Sequence, residues 1–577
     1  MSYDLKIVGG TIIDGSGSTG YPGDIAIKDG RIVAVGVAPE DATRVIDATG
    51  RVVSPGFIDP HTHYDAQIVW DPMLSHSPWH GVTTVVMGNC GIGFAPCREE
   101  DRDYMMQLCA LVEGIPYECL KEGMGDWGFS TYPEYLDFIE RRGIAINVIS
   151  QIAHHPIKVW VQGSDATARF ANAEEMRQQR EVLREALRSG AAGFSIYNGP
   201  GHWGPGSRTV PSRLTTPDQF ESMVAVLAEE GTGGLDLNWG SVFNPKTIPA
   251  LWERYHVPFN RPQTNSAKYH DRNEAAIEAN RNGVAWHPQI GALPNSFEIG
   301  LEDPFMFAID QPLGSQRGHP LHDLFGPLTE QSVAQRLETY KRADFRAEFV
   351  RETDQDDWNT RYWPLLRVSY SPSRREPEGR FLVDLAKEAG VTPAEIMLDL
   401  AIESDLHARF TIENPQDEDN VLRMLTDEGN TFLLGASDAG AHQGQIADYR
   451  YPTHILSHYV RDKGLPIERA VACMTGLVAE AYGIIDRGLL REGYAADVVV
   501  FDPDTVKDGP LERVNDLPGG ARRLFSAGLG IDHVIVNGEP LFESGERVGD
   551  PEQYHGRLLR EFRSHAERAE RAAAQVV

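Results

Sequence analysis

The chain has 577 residues, 41% of them apolar and 24% charged, with a formal net charge of −30. That length accommodates two or more domains with sizeable cores, and the acidic balance argues against nucleic acid or an anionic membrane surface as a partner, since both need a cationic face. Five cysteines in so long a chain (Cys90, Cys97, Cys109, Cys119 and Cys473) do not form a disulfide framework and read as thiols of a reducing compartment.

The N-terminus enters a strand pattern at once, with no signal segment ahead of it, and no apolar run reaches membrane-spanning length. The cytoplasm is therefore the expected location. Leu5–Val8, Thr11–Gly15, Asp24–Ile27 and Arg31–Val35 read as short strands, with Asp29-Gly30 as a hairpin turn. The same texture returns at Asp497–Phe501 and at His533–Val536 with Asn537-Gly538. The two ends together predict one small β-domain, from residues 1–53 and 481–550, enclosing everything between.

From 54 to 480 strands alternate with helices. The strand candidates are Val52–Ile58, Thr83–Met87, Ile144–Ile152, Gly193–Ile196, Gly234–Leu237, Pro258–Gln263, Val284–Gln289 and Thr431–Gly435. Asn172-Ala173-Glu174-Glu175 has capping-box form, and Thr216-Pro217 opens a further helix whose Phe220, Met223, Val224 and Leu227 keep helical spacing. Eight such units predict a (β/α)8 TIM-like barrel in the α/β class. The stretch 294–378, polar and charged with Trp358, Tyr362 and Trp363, exceeds one strand and one helix. It reads as an insertion near the barrel mouth, either a lid or a surface excursion. The tail 551–577 reads as helical, with Leu558, Leu559, Phe562 and His565 spaced for one face.

Chemistry in such a barrel gathers at the C-terminal ends of the strands. His61-Thr62-His63 follows the first strand candidate. Side chains two apart on an extended segment point the same way, so two imidazoles there can share a metal ion. Cys90 stands in Met87-Gly88-Asn89-Cys90-Gly91 after the second strand, as a thiolate ligand or as a buried apolar thiol. Asp438, in Gly435-Ala436-Ser437-Asp438-Ala439-Gly440 after the last strand, is placed to bind metal and take a proton from water, or to form an Asx turn. His154 and Lys158 after the third strand, His202 in the Gly-rich loop after the fourth, and His287-Pro288-Gln289 in the seventh are softer candidates. There is no Walker-type loop, no GxSxG elbow and no GxGxxG after a strand.

These segments, with Ile7–Gly15, Ser54–His63, Gly81–Gly91 and Arg487–Asp497, resemble the amidohydrolase superfamily and, within it, the D-aminoacylase-like group of N-acyl-D-amino-acid deacylases. The resemblance covers nearly the whole chain. It implies a metal-bearing barrel with a β-sandwich from both termini, hydrolysis of a non-peptide C–N bond in a small-molecule amide, and a homo-oligomer. It also implies that His61 and His63 bind metal, that Cys90 contacts or bridges it, and that Asp438 binds metal and moves protons.

The chain departs from that group at the ends of the fifth and sixth strands, where the relatives carry histidines and this chain has Asn238 and Ser266. Amide and hydroxyl oxygens are weaker zinc ligands than imidazole. The expectation is therefore Zn2+, one ion in preference to two with another divalent metal left open, held by His61, His63, Cys90 and Asp438. Lys268 matches a lysine that holds the substrate carboxylate, and His154, His202 and Asn238 join it as candidate substrate contacts. Deacylation of an N-acyl (D-)amino acid is the leading reading. Opening of a cyclic amide or imide, cleavage of a bulky metabolite or xenobiotic amide, and a metal-poor binding protein are the alternatives.

Overall fold

Strands from both ends of the chain join in one nine-stranded sheet. The computed structural model describes residues 2–199, 202–238, 247–263, 270–294, 296–304, 307, 320–354, 356–414, 416–427 and 429–575. The sheet runs in the order Glu546–Arg547, Glu539–Glu543, Ile531–Val536, Val498–Phe501, Val52–Pro55, Tyr3–Ile12, Tyr21–Lys28, Arg31–Gly36, with Ala42–Asp47 also on Tyr3–Ile12. Alternation along the strands puts Leu5, Ile7, Ile12, Ile25, Ile27, Val498, Val500 and Ile535 into one core. The Asp29-Gly30 and Asn537-Gly538 turns each have positive φ at both residues, as tight hairpins favour.

The central body is built on parallel strands that are buried on both faces, hence their near-continuous apolar runs such as Val82–Met87. Phe57–Asp59, Val82–Met87, Asn147–Ser150 continuing as Ile152–Ala153, Gly193–Tyr197, Gly234–Asn238, Phe259–Gln263, Trp286–Ile290 and Leu433–Leu434 pair in chain order, every pair parallel. Just beyond the eighth strand, Ala439 bridges in parallel to Thr62, beyond the first. The strands thus close into the expected barrel. Capping boxes start the helices Ala173–Arg188 and Pro217–Glu230, at Asn172 with Glu175 and Thr216 with Gln219. Among the described residues no helix is long and apolar enough to cross a membrane.

Three boundaries differ from the sequence reading. Val52–Ile58 is two strands: Gly56 N–H bonds to Asp497 O (2.9 Å) and Phe57 N–H to Gly81 O (3.0 Å), so the chain leaves one sheet and enters the other at that glycine. The insertion does not stop at 378. Arg409–Glu413 returns as the middle strand between Ser296–Ile299 and Leu366–Tyr370, and the helices Leu382–Ala389 and Pro393–Glu403 pack on it. Its aromatic residues, Trp358 and Trp363 among them, fill a core of their own with Phe325, Tyr340 and Phe349. They therefore do not line a mouth. In the tail, Leu558–Leu559 is a strand parallel to Asn147–Ser150, and only His565–Gln575 is helical.

A buried polar cluster fastens the end sheet, barrel and tail together. Arg487 pairs with Asp497, both buried. Asp497 also accepts from Asn537 N–H (2.8 Å) and Asn147 Nδ2 (2.9 Å). Asn537 Nδ2 donates to Asn147 Oδ1 (2.8 Å) and His555 O (2.7 Å). Removing the cation strands a buried carboxylate, which typically costs about 3–5 kcal/mol. Arg487→Ala is expected to lower unfolding free energy by that order in a urea titration; a change below about 1 kcal/mol, the range of exposed pairs, would show that the cluster is not the clasp described.

Candidate metal centre

The backbone beyond the first barrel strand is stitched on both sides. Thr62 N–H and Oγ1 both donate to Val86 O (3.0 and 2.8 Å), and His63 N–H donates to Ala439 O (2.7 Å). Thr62 thus serves the wall, and His61 and His63, on either side of it, turn their rings toward one point with centroids 5.3 Å apart. Both imidazoles are buried, with side chains 1% and 3% exposed.

Two residues in left-handed backbone conformations complete the convergence: Cys90 at φ 53° and Asp438 at φ 50°. Such a conformation is uncommon outside glycine and costs on the order of 1–3 kcal/mol, so the fold sustains it for both side chains. Cys90 Sγ lies 3.4 Å from His61 Nε2. Asp438 Oδ1 lies 3.3 Å from His61 Nε2 and 3.6 Å from His63 Nε2. Ligands on one tetrahedral zinc ion, with bonds of about 2.0–2.3 Å, sit roughly 3.3–3.6 Å apart. These three separations match donors of such an ion. Among the described residues His61, His63 and Cys90 form a group whose ligand atoms all lie within 4.8 Å of one another, and Asp438 stands over it with a side chain 41% exposed.

The four groups shift one another strongly. Burial pushes the Cys90 thiol up to about 11, against the pull of His61. Burial would also raise Asp438, but hydrogen bonds from His61 and His63 hold it well below the carboxylate range. Burial disfavours charge on His61 as well, yet Cys90 and Asp438 together raise it well above its ordinary value. His63, with weaker partners, is lowered by burial.

Supporting residues fix the donors. Gln289, in the seventh strand, gives its Nε2 to Tyr482 Oη (2.8 Å) and Pro60 O (3.4 Å), which leaves its Oε1 facing His61 Nδ1 at 2.8 Å. An amide oxygen only accepts, so His61 carries a proton on Nδ1 and turns Nε2 toward the centre. Asp59 accepts from Ser437 Oγ (2.5 Å) and His61 N–H (3.2 Å); burial raises it to about 7 against those bonds. Asp65 accepts from Gly88 N–H (3.1 Å) and so anchors the turn that carries Cys90. Nothing in the sequence singled out Gln289 beyond its place near a strand end, and Asp59 and Asp65 flank the histidine pair without a motif of their own.

The remaining candidates lie elsewhere. His154 Nδ1 meets Ser212 Oγ at 2.8 Å, and His155 bonds the same hydroxyl. The buried Lys158 donates to Leu214 O (2.6 Å), and burial lowers its amine to about 7. His202 stacks on Tyr197 with ring centroids 3.6 Å apart and feels the charges of His63, His442 and Asp438, so it stands beside the centre rather than within the donor group. Asn238 ends the fifth strand. Ser266 and Lys268 lie outside the described residues.

A family model described as "Amidohydrolase family" matches residues 44–198 and 294–542. The D-aminoacylase of Alcaligenes xylosoxydans xylosoxydans is 28% identical over 96% of this chain and 97% of its own length. The crystal structure of the N-acyl-D-glutamate deacylase of Bordetella bronchiseptica, complexed with zinc and a phosphonate mimic of the tetrahedral intermediate, superposes with a TM-score of 0.66 at 25% identity, covering 97% of this chain and all of that one. A D-aminoacylase structure described by one-metal activation and second-metal attenuation of a binuclear centre gives 0.63 at 25% identity, again covering 97% of this chain and all of that one.

Gln289→Leu removes the acceptor that sets the His61 tautomer. Metal affinity, measured by chelator competition, is expected to fall roughly 10–100-fold, the usual effect of losing such a partner. Unchanged affinity would mean that His61 holds its tautomer without the amide.

Proposed function

The chain belongs to the amidohydrolase family, and on that premise we propose that it is a metal-dependent hydrolase of a non-peptide C–N bond, deacylating an N-acyl D-amino acid or a related amide. The observation that carries the proposal is the convergence of two imidazoles and a thiol in one buried donor group, with the Asp438 carboxylate over the two imidazoles. The relatives supply the substrate class, being a D-aminoacylase and an N-acyl-D-glutamate deacylase over nearly the full length of the chain.

We assign the ion to His61, His63, Cys90 and Asp438, as one zinc in preference to two. Bound there, it supplies Lewis acidity that polarises the amide carbonyl and acidifies water. His61 and His63 are neutral donors through Nε2. Asp438 is the one donor with substantial exposure, so it retains a lone pair for the reaction: its carboxylate takes the proton from attacking water and delivers it to the departing nitrogen. An amine leaves poorly unless protonated, so one group in both roles is economical. Burial of the histidines keeps bulk water from competing at the donors. Lys268 is proposed, on the family resemblance, to meet the substrate carboxylate.

Three measurements test the assignment. Metal analysis is expected to return one zinc per chain, and chelation to remove activity that one equivalent restores. Asp438→Asn is expected to lower kcat by about 10²–10⁴-fold, the usual worth of an acid–base group, with the fold intact by circular dichroism. N-acetyl-D-amino acids are expected to be hydrolysed ahead of their L-isomers and of cyclic imides. Turnover of imides alone would replace deacylation with ring opening, and folded protein without stoichiometric metal would overturn the enzyme reading.

A further inference from the structure

Glu113 is a buried carboxylate that the reaction scheme above does not use. It is the last residue of the helix Arg102–Glu113, which stops at Gly114 in a left-handed cap. Its side chain is 4% exposed, and Oε1 is 3.5 Å from His63 Nδ1. Neither atom has a hydrogen-bond partner. Two orphaned polar atoms facing each other in a dry place call for a shared explanation, and an uncompensated buried carboxylate is costly.

From these contacts we infer that Glu113 is the positioning residue of His63. Once His63 gives the Nε2 lone pair to an ion, its proton must sit on Nδ1, and that N–H then points at Glu113 Oε1. The carboxylate fixes the ring and makes Nε2 a stronger donor. The inference rests on the metal reading proposed above. The helix end also braces the other side of the centre: Glu113 O accepts from His442 N–H at 2.5 Å, in the turn that begins at Asp438. One residue therefore holds His63 by its side chain and the Asp438 turn by its backbone. The two histidines are served by different groups, His61 by the amide of Gln289 and His63 by the carboxyl group of Glu113.

The test uses full-length protein loaded with zinc or Co2+, with Glu113→Ala and Glu113→Gln. E113A is expected to bind zinc roughly 10–100-fold more weakly in chelator competition and to alter the visible spectrum of the Co2+ form. E113Q, which keeps an acceptor oxygen at the same place, is expected to recover most of the affinity. Should E113A fail to fold, the Nδ1–H resonance of His63 in histidine-labelled holoenzyme decides: it is expected to shift in E113Q. A folded E113A with wild-type affinity and Co2+ spectrum, or a His63 resonance that ignores E113Q, overturns the role of Glu113 alone. A wild-type chain that binds no metal overturns this inference and the metal reading together.

Discussion

The seam between the first and eighth barrel strands is the constraint on which the site depends. Across it His63 N–H bonds to Ala439 O (2.7 Å), Asp438 N–H to His61 O (3.2 Å) and Ser437 Oγ to Asp59. Residues far apart in sequence become neighbours because a parallel barrel has to close on itself. The approach is tight enough to dictate composition. A Cβ on Gly435 would come within 2.2 Å of Pro60 Cδ, and one on Gly440 within 2.6 Å of His63 O. Any side chain at either place would push the strands apart and separate Asp438 from the histidines it overlooks.

The same closure explains how the donors are held together as one buried group. Each is held from behind by a different element: His61 by the seventh strand through Gln289, the Cys90 turn by Asp65 after the first strand, and the Asp438 turn by the helix end at Glu113. Preorganisation of this kind matters more for a metal centre than any single contact, because ligand geometry fixes affinity.

Much of this was legible in the sequence, and the parts that were not share a cause. The strands and the His61/His63 pair announce themselves through local pattern, since period-two spacing and strand-end position are properties of neighbouring residues, whereas Cys90 and Asp438 drew their weight from the family resemblance. Gln289 and Glu113 do neither, because each matters only through a contact with a distant histidine. The insertion boundary failed for a related reason. Arg409–Glu413 belongs to the insertion's sheet only by its pairing with Ser296–Ile299 and Leu366–Tyr370, and its helical approach looks like another barrel unit. Trp358 and Trp363 stood out in a stretch read as a lid or a surface excursion, but aromatic residues in a long excursion have to bury themselves somewhere, and here they build the excursion's own core.

That independent core bears on how the barrel mouth is shaped. The insertion touches the side of the barrel that carries the His61/His63 pair through its first strand: Glu298 N–H bonds to Gln445 O (2.8 Å), its carboxylate pairs with Arg513, and Phe297 meets His442 edge-on. Gln445 in turn donates to His442 O (2.7 Å), in the turn that begins at Asp438. A unit with its own folded core moves as a body if it moves at all, so a displacement there would reach the Asp438 turn through these contacts before it reached the histidines. The position of the insertion and that of the Asp438 carboxylate would then be linked through the 438–445 turn, while the His61/His63 pair, anchored in the barrel wall, keeps its geometry.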